Sequence, residues 1–157
     1  MPQWPEDRTP TQYAILDIDA DGTTEMIISS DTDGTGFSTF SVLTYDAQSN
    51  AITPMTFQGL RSAGIPYSMC HNGLRYSETY HALVFKTMNN GSMFGSFGFY
   101  TLQASESTPL FYLGYDNTGT SGQTLYTRGS DEERETITEE QYQDFLTEPV
   151  LVEFQPF

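Results

Sequence analysis

FSTFSVLTYD, residues 37–46, sets Phe37, Thr39, Ser41 and Leu43 against Ser38, Phe40 and Val42 along the chain. Side chains that fall into two interleaved sets at a period of two belong to a strand with two distinct faces. Phenylalanine, valine, threonine and tyrosine suit a pleated, half-buried surface, so residue type and period agree. The segment predicts a β-strand, and its neighbours decide what kind of sheet it joins.

Upstream, YAIL (13–16) and EMIIS (25–29) carry the same β character. Downstream it returns in AITPMTF (51–57), GLRYSETY (73–80), HALVFKTM (81–88), SFGFYTLQA (96–104), PLFYLGYD (109–116) and QTLYTRG (123–129). The connectors DAQSN (46–50), HNG (71–73), MNNGS (88–92) and DNTGTSG (116–122) supply asparagine and glycine, which reach the positive φ that tight hairpin turns demand. Short strands separated by such turns predict a mainly β fold: an antiparallel meander arranged as a sheet, a sandwich or a partly open barrel. Residues 1–12 hold three prolines and few apolar side chains, an extended lead-in to a single β-rich domain over 13–157. No fixed period recurs along the chain, which argues against a propeller or a solenoid.

One helix is predicted near the end, in ITEEQYQDFLT (137–147). Thr138 can cap the first turn while Gln141, three residues on, returns the bond, and Ile137 and Tyr142 occupy the staple positions on either side. Glu139 and Glu140 complement the helix dipole. Tyr142, Phe145 and Leu146 make one apolar stripe. Pro149 forbids continuation, and VLVEF (150–154) alternates as a last strand.

The 157 residues include six basic and twenty-one acidic side chains, a net charge of −15, with Lys86 the one lysine. Nucleic acid and anionic membrane surfaces both demand a basic footprint, so neither is an expected partner. No run of about 18 apolar residues is present, so no membrane-spanning helix is expected. The start, MPQWPEDRTPTQ, lacks the basic and apolar regions of a signal peptide. The expected location is extracellular or at the cell surface, with the export signal absent from this chain. The single cysteine, Cys70, reads as a small buried hydrophobe.

The strongest chemical signal is LDIDADGTTEMII, residues 16–28. Counted from Asp17, the carboxylates of Asp17, Asp19 and Asp21 fall at positions 1, 3 and 5, Gly22 at 6, Thr23 at 7 and Glu25 at 9. Calcium takes six to eight oxygens, and these are the positions from which an EF-hand loop supplies them. Position 12 is Ile28 rather than the closing bidentate glutamate, and the flanks read as strands, so a helix–loop–helix switch is disfavoured. Three aspartates and a glutamate on one tight loop repel one another unless a cation neutralises them. The pattern therefore predicts Ca2+, ahead of Mg2+, held by Asp17, Asp19, Asp21, Thr23 and Glu25. Asp31 and Asp33 lie one short strand away; an Asp33-Gly34 hairpin turn is the plainer reading, and an oxygen lent to the metal the sharper one.

YAILDIDADGTTEMII (13–28) resembles the Y-A-L-x-D-I-D-G-D-G-x-x-E-L-I segment of bacterial cell-surface proteins and lipoproteins, often of gut-dwelling Gram-positive organisms. It is also similar to the calcium loops of FG-GAP and VCBS-type β modules and, more distantly, of dockerins. ITEEQYQDFLTEPVLVEFQPF (137–157) resembles the tail of the same surface proteins, and Tyr45 fits their following strand. The specific likeness covers about a quarter of the chain. It implies a surface location and the same five calcium ligands. Ala20 stands where that family has glycine, and the helix that usually precedes the loop is absent here.

For catalysis, Glu78 with His81 and Glu106 with Asp116 can be named, yet no spacing selects either pair. GSMFGSFG (91–98) lacks the frame of a nucleophile elbow. Ten tyrosines and eleven phenylalanines instead offer ring faces for sugars or peptides. Within YSMCHNGLRYSETYH (67–81), Tyr67, Tyr76, Tyr80 and His81 are the candidate ligand-binding residues. The expectation is a calcium-stabilised, non-catalytic binding or structural domain with a glycan or protein ligand. The alternative is a glycan- or cell-wall-acting hydrolase or its accessory domain.

Overall fold

The computed structural model describes residues 4–59, 65–91, 93–103 and 106–157. The fold is mainly β with one short helix near the C-terminus. The first sheet contains β1 (Pro10–Leu16), β2 (Glu25–Ser30), β3 (Phe37–Asp46) and β4 (Ala51–Pro54) as sequential neighbours. β5 (Thr56–Phe57) crosses to the other sheet, and β6 (Ser68–His71) returns to pair with β3. The ten-residue β3 thus serves two partners, β6 along Phe37–Phe40 and β4 along Leu43–Asp46.

The second sheet contains β7 (Arg75–Ser77), β8 (Ala82–Asn90), β9 (Phe94–Gln103), β10 (Glu106–Asp116), β11 (Leu125–Gly129) and β12 (Arg134–Ile137), again neighbour to neighbour. After α1 (Glu139–Thr147) the chain contributes one short strand to each sheet. β13 (Val150–Leu151) pairs with β7, and β14 (Gln155–Pro156) pairs with β1. All these pairings are antiparallel except that of β5 with β10. The predicted meander is therefore present as two local meanders, with β5, β6, β13 and β14 stitching them together.

Period-two alternation explains how the sheets meet. Ala14, Ile27, Phe40 and Val42 of the first sheet share one core with Leu83, Phe85, Tyr100 and Tyr112 of the second. Phe40 meets Phe57 and Phe85 edge-on at 5.3 and 5.0 Å, and Phe85 stacks on Tyr100 at 4.8 Å. Burying each such ring contributes roughly 1.5–3 kcal/mol. The opposite face of the second sheet presents Val84, Phe99, Phe111 and Leu113, which α1 covers with Tyr142 and, at its margin, Phe145 and Leu146. Three layers result: sheet, sheet and helix.

The helix follows its local code. Thr138 Oγ1 accepts from the Gln141 amide at 3.1 Å, and Gln141 Oε1 accepts from the Thr138 amide at 2.9 Å. In β3, however, Thr39 and Ser41 are as buried as Phe40 and Val42. Pro66 lies against that face, its carbonyl accepting from Ser41 Oγ at 2.6 Å. AITPMTF divides between two sheets at the buried Met55, and GLRYSETY is strand only over Arg75–Ser77. β1 begins at Pro10, inside the expected lead-in, whose residues 1–3 lie outside the described residues. Cys70 is buried, its Sγ 3.1 Å from Ser38 Oγ, and burial pushes its thiol pKa up.

Candidate metal centre

The acidic stretch forms the connection between β1, which ends at Leu16, and β2, which begins at Glu25. Two residues shape it through positive φ: Ala20 at 60° and Gly22 at 91°. The space around Gly22 is open, so glycine is needed there for its backbone rather than for room. Ile18, a spacer between ligands in the linear pattern, is 0 % exposed and plugs the loop into the intersheet core. That anchor turns the neighbouring odd-numbered side chains outward.

The carboxylates of Asp17, Asp19 and Asp21 converge, one oxygen of each lying within 4.8 Å of the others. Asp17 accepts from the Asp21 amide (Oδ1, 3.1 Å) and the Gly22 amide (Oδ2, 3.0 Å). Asp21 Oδ1 accepts from the Thr23 amide at 2.7 Å. Glu25 is different: it is 3 % exposed, and its Oε2 accepts from the buried Ile18 amide at 3.0 Å. Among the described residues that is its one hydrogen bond. Burial raises the Glu25 pKa above its ordinary value, the Ile18 amide opposes this, and the charges of Asp19, Asp21 and Asp17 push it further up.

Every ion pair among the described residues lies elsewhere, on Arg8, Arg128 and Arg134. A buried carboxylate without a counter-charge is costly, and the loop places three more beside it. The donors are all oxygens carried on one short loop, the set that suits a hard divalent cation such as calcium. The side chains of Asp17, Asp19, Asp21 and Glu25, with the backbone carbonyl of Thr23, are those that could hold it.

Asp31 and Asp33 are engaged apart from this cluster. Thr11 Oγ1 donates to Asp31 at 2.8 Å. Asp33 accepts from the Thr35 hydroxyl at 2.7 Å, pairs with Arg8, and accepts from the amides of Phe37 and Thr35 at 3.0 and 2.8 Å, and these bonds hold its pKa far below the usual carboxylate range. The β2–β3 turn closes through the Gly36 amide on the Asp33 carbonyl, with Gly36 rather than Gly34 at positive φ.

The four aromatic candidates separate. The Tyr76 hydroxyl donates to the Ile18 carbonyl at 3.2 Å and lies 3.5 Å from His81 Nδ1. It thereby ties β7 of the second sheet to the acidic loop of the first, and burial, then the Asp17 charge, raise its pKa. Tyr80 instead joins Phe99, Phe111 and Phe145 on the helix side, with centroids 5.6, 5.3 and 6.2 Å away. Tyr67 is half-buried just before β6. Of the carboxylate pairs named for catalysis, Glu106 and Asp116 stand at opposite ends of the eleven-residue β10, roughly 30 Å apart at strand rise.

What linear reading missed is the wall opposite the loop. The β3–β4 hairpin faces Asp19, Asp21, Thr23 and Glu25 across a cleft of about 490 Å³. Tyr45, Asp46, Gln48 and Thr53 stand on the hairpin side, and Met55 and Leu102 also line the cleft. No spacing rule links residues 17–25 with 44–53; the β2–β3–β4 ladder brings them together.

No protein-family model matches the chain, and no curated protein matches it. Among solved structures it is similar to a Xanthomonas type IV secretion system related protein, with 20% sequence identity and a TM-score of 0.51. The match covers 87% of this chain and 61% of that one, so the chain spans about three fifths of the other protein's length. The likeness is one of fold.

Proposed function

We propose that this chain is a calcium-stabilised, non-catalytic domain of an exported bacterial surface protein, serving in binding or structural display. The observation that carries the calcium reading is Glu25: a carboxylate 3 % exposed, without a cationic partner among the described residues, beside three converging aspartates. A divalent ion bridging Asp17, Asp19, Asp21, the Thr23 carbonyl and Glu25 removes both the desolvated charge and the mutual repulsion. Because the loop hangs from β1 and β2 and is tied to β7 through Tyr76, an ion there fastens one sheet to the other. The surface location is supported by the net charge of −15 and by the resemblance of residues 13–28 to loops of bacterial surface proteins.

Mass action sets the size of the effect. An ion present at about a hundred times its dissociation constant adds about 2.7 kcal/mol to the folded state. For a domain of this size that is a rise in Tm of about 5–10 °C. Melting in calcium and again after excess chelator reads this shift, and an identical midpoint in both would refute the site. Magnesium at equal concentration is expected to give a smaller shift, because several flexible carboxylates suit the larger ion.

A further inference from the structure

We propose that the cleft between α1 and the β7–β8 turn receives a lysine side chain of a cationic partner polypeptide. This site stands apart from the metal centre and does not depend on it. The cleft encloses about 330 Å³ and is lined by Thr79 and Tyr80 of the turn, by Gln141, Asp144 and Phe145 of the helix, and by Glu148 just after it. Tyr80 and Phe145 are half-buried, with ring centroids 6.2 Å apart and planes 35° from parallel, so an aromatic surface stays open to solvent. Phe111 packs against both rings and holds them in place. Asp144 and Glu148 stand one helical turn apart on the same face, about 6 Å between Cβ atoms. Among the described residues no basic side chain lines the cleft. The Glu148 carboxylate is fixed by accepting from the Thr79 amide at 2.9 Å. Burial raises its pKa, but bonds from Ser77 and Thr79 outweigh this and hold it below the ordinary value.

An aromatic surface flanked by two carboxylates selects a cation carried on an apolar stem. Aromatic rings attract cations through their negative faces. Phe145 already draws one, the Arg128 guanidinium at 5.2 Å, which does not line the cleft. Lysine fits better than arginine. Its stem can lie along the rings, and its compact ammonium has three donors to share between Asp144 and Glu148. A planar guanidinium seeks two oxygens of one carboxylate, and Glu148 has one of its own on the Thr79 amide. Gln141 favours a lysine set in a polypeptide over a free amine. Its Oε1 is committed to the Thr138 amide, which leaves the side-chain nitrogen to donate to a main-chain carbonyl beside the lysine. A second copy of this chain is a poor source. It brings another net charge of −15, and its one lysine is held over the Phe97 and Tyr115 rings at 5.7 and 5.2 Å.

Amide NMR titration tests this, in calcium-containing buffer so that the acidic loop does not compete for the cation. The probes are an acetylated, amidated Ala-Lys-Ala tripeptide, the same peptide with its lysine Nε-acetylated, and n-butylamine. The lysine peptide is expected to shift the amides of Thr79, Tyr80, Gln141 and Phe145 saturably, and the Nε-acetylated peptide to leave them unmoved. The amine is expected to bind about fivefold more weakly than the lysine peptide, the scale of one net hydrogen bond. Asp144→Asn should weaken the lysine peptide about threefold. Phe145→Leu, which keeps an apolar side chain against Phe111, should also weaken it about threefold. Asp46→Asn, on the first sheet, should change nothing. No saturable shift at these four amides would overturn the proposal. Equal binding of the Nε-acetylated peptide, or an equal loss from Asp46→Asn, would show general attraction to an acidic protein and overturn it as well. Butylamine binding as tightly as the lysine peptide would overturn the polypeptide as the source. The melting test of the metal centre is unaffected by any of these results.

Discussion

Neutralising one loop aspartate gives the metal-free protein and the metal-loaded protein opposite responses. In Asp19→Asn the amide keeps an oxygen for the Asp21 amide that Asp19 Oδ1 now accepts at 3.3 Å, so local geometry is preserved while one charge is lost. Asp17, Asp19 and Asp21 place oxygens within 4.8 Å of one another. Each such pair costs about 0.9 kcal/mol even in the dielectric of bulk water. The substitution removes two of the three repulsions, about 1.7 kcal/mol, which is a rise in Tm of about 5 °C for the chelated protein. In saturating calcium the order reverses, because the variant has lost a ligand and most of the metal-dependent gain. The assay is thermal melting in about 10 mM salt, where charges interact over about 30 Å, repeated in about 1 M salt, where the range is about 3 Å. High salt should erase the advantage of the chelated variant. A variant that melts no higher than the native chain when chelated, or that gains as much from calcium, would refute the reasoning.

Three further outcomes follow from neighbouring features. Ala20 holds a φ of 60°, so Ala20→Gly should raise stability by about 0.5–1 kcal/mol in urea denaturation, and a loss would show that the loop depends on the alanine methyl. Gly98 lies under the buried Tyr100 ring, where an added methyl would fall 2.4 Å from Tyr100 Cε2, so Gly98→Ala should lower stability by about 1–3 kcal/mol; an unchanged midpoint would mean that ring can move. The raised pKa of Glu25 makes the folded, metal-free state bind a proton more tightly than the unfolded chain. Its contribution is fully present below the ordinary value of 4.5 and is lost as pH rises through the elevated folded value. Acidification from neutrality into that window should therefore stabilise the chelated protein and weaken calcium affinity, and a calcium affinity independent of pH there would contradict the role of Glu25.

The features legible in the sequence are those whose partners are close in the chain. The Thr138–Gln141 box spans three residues, and all five candidate ligands lie within residues 17–25, so local spacing carries each of them. The strands were legible from alternation. Their partners were less so: the tail returns over long separations, Val150 beside Tyr76 and Gln155 beside Tyr13, and sequence period says nothing of that. The same limit hid the cleft wall, since Tyr45 and Gln48 reach the loop only through the register of β2, β3 and β4. Tyr80 sits among polar neighbours in the chain, yet its ring packs against Phe99 and Phe111, because β8 begins one residue after a backbone reversal at His81, where φ is 46°.

The most direct measurement is a crystal structure grown with calcium and recorded at a wavelength where the ion scatters anomalously. One anomalous peak among Asp17, Asp19, Asp21, the Thr23 carbonyl and Glu25, with six or more oxygens at about 2.3–2.6 Å, is the predicted result. Ordered density in which those carboxylates point away from a centre holding nothing heavier than water would contradict it.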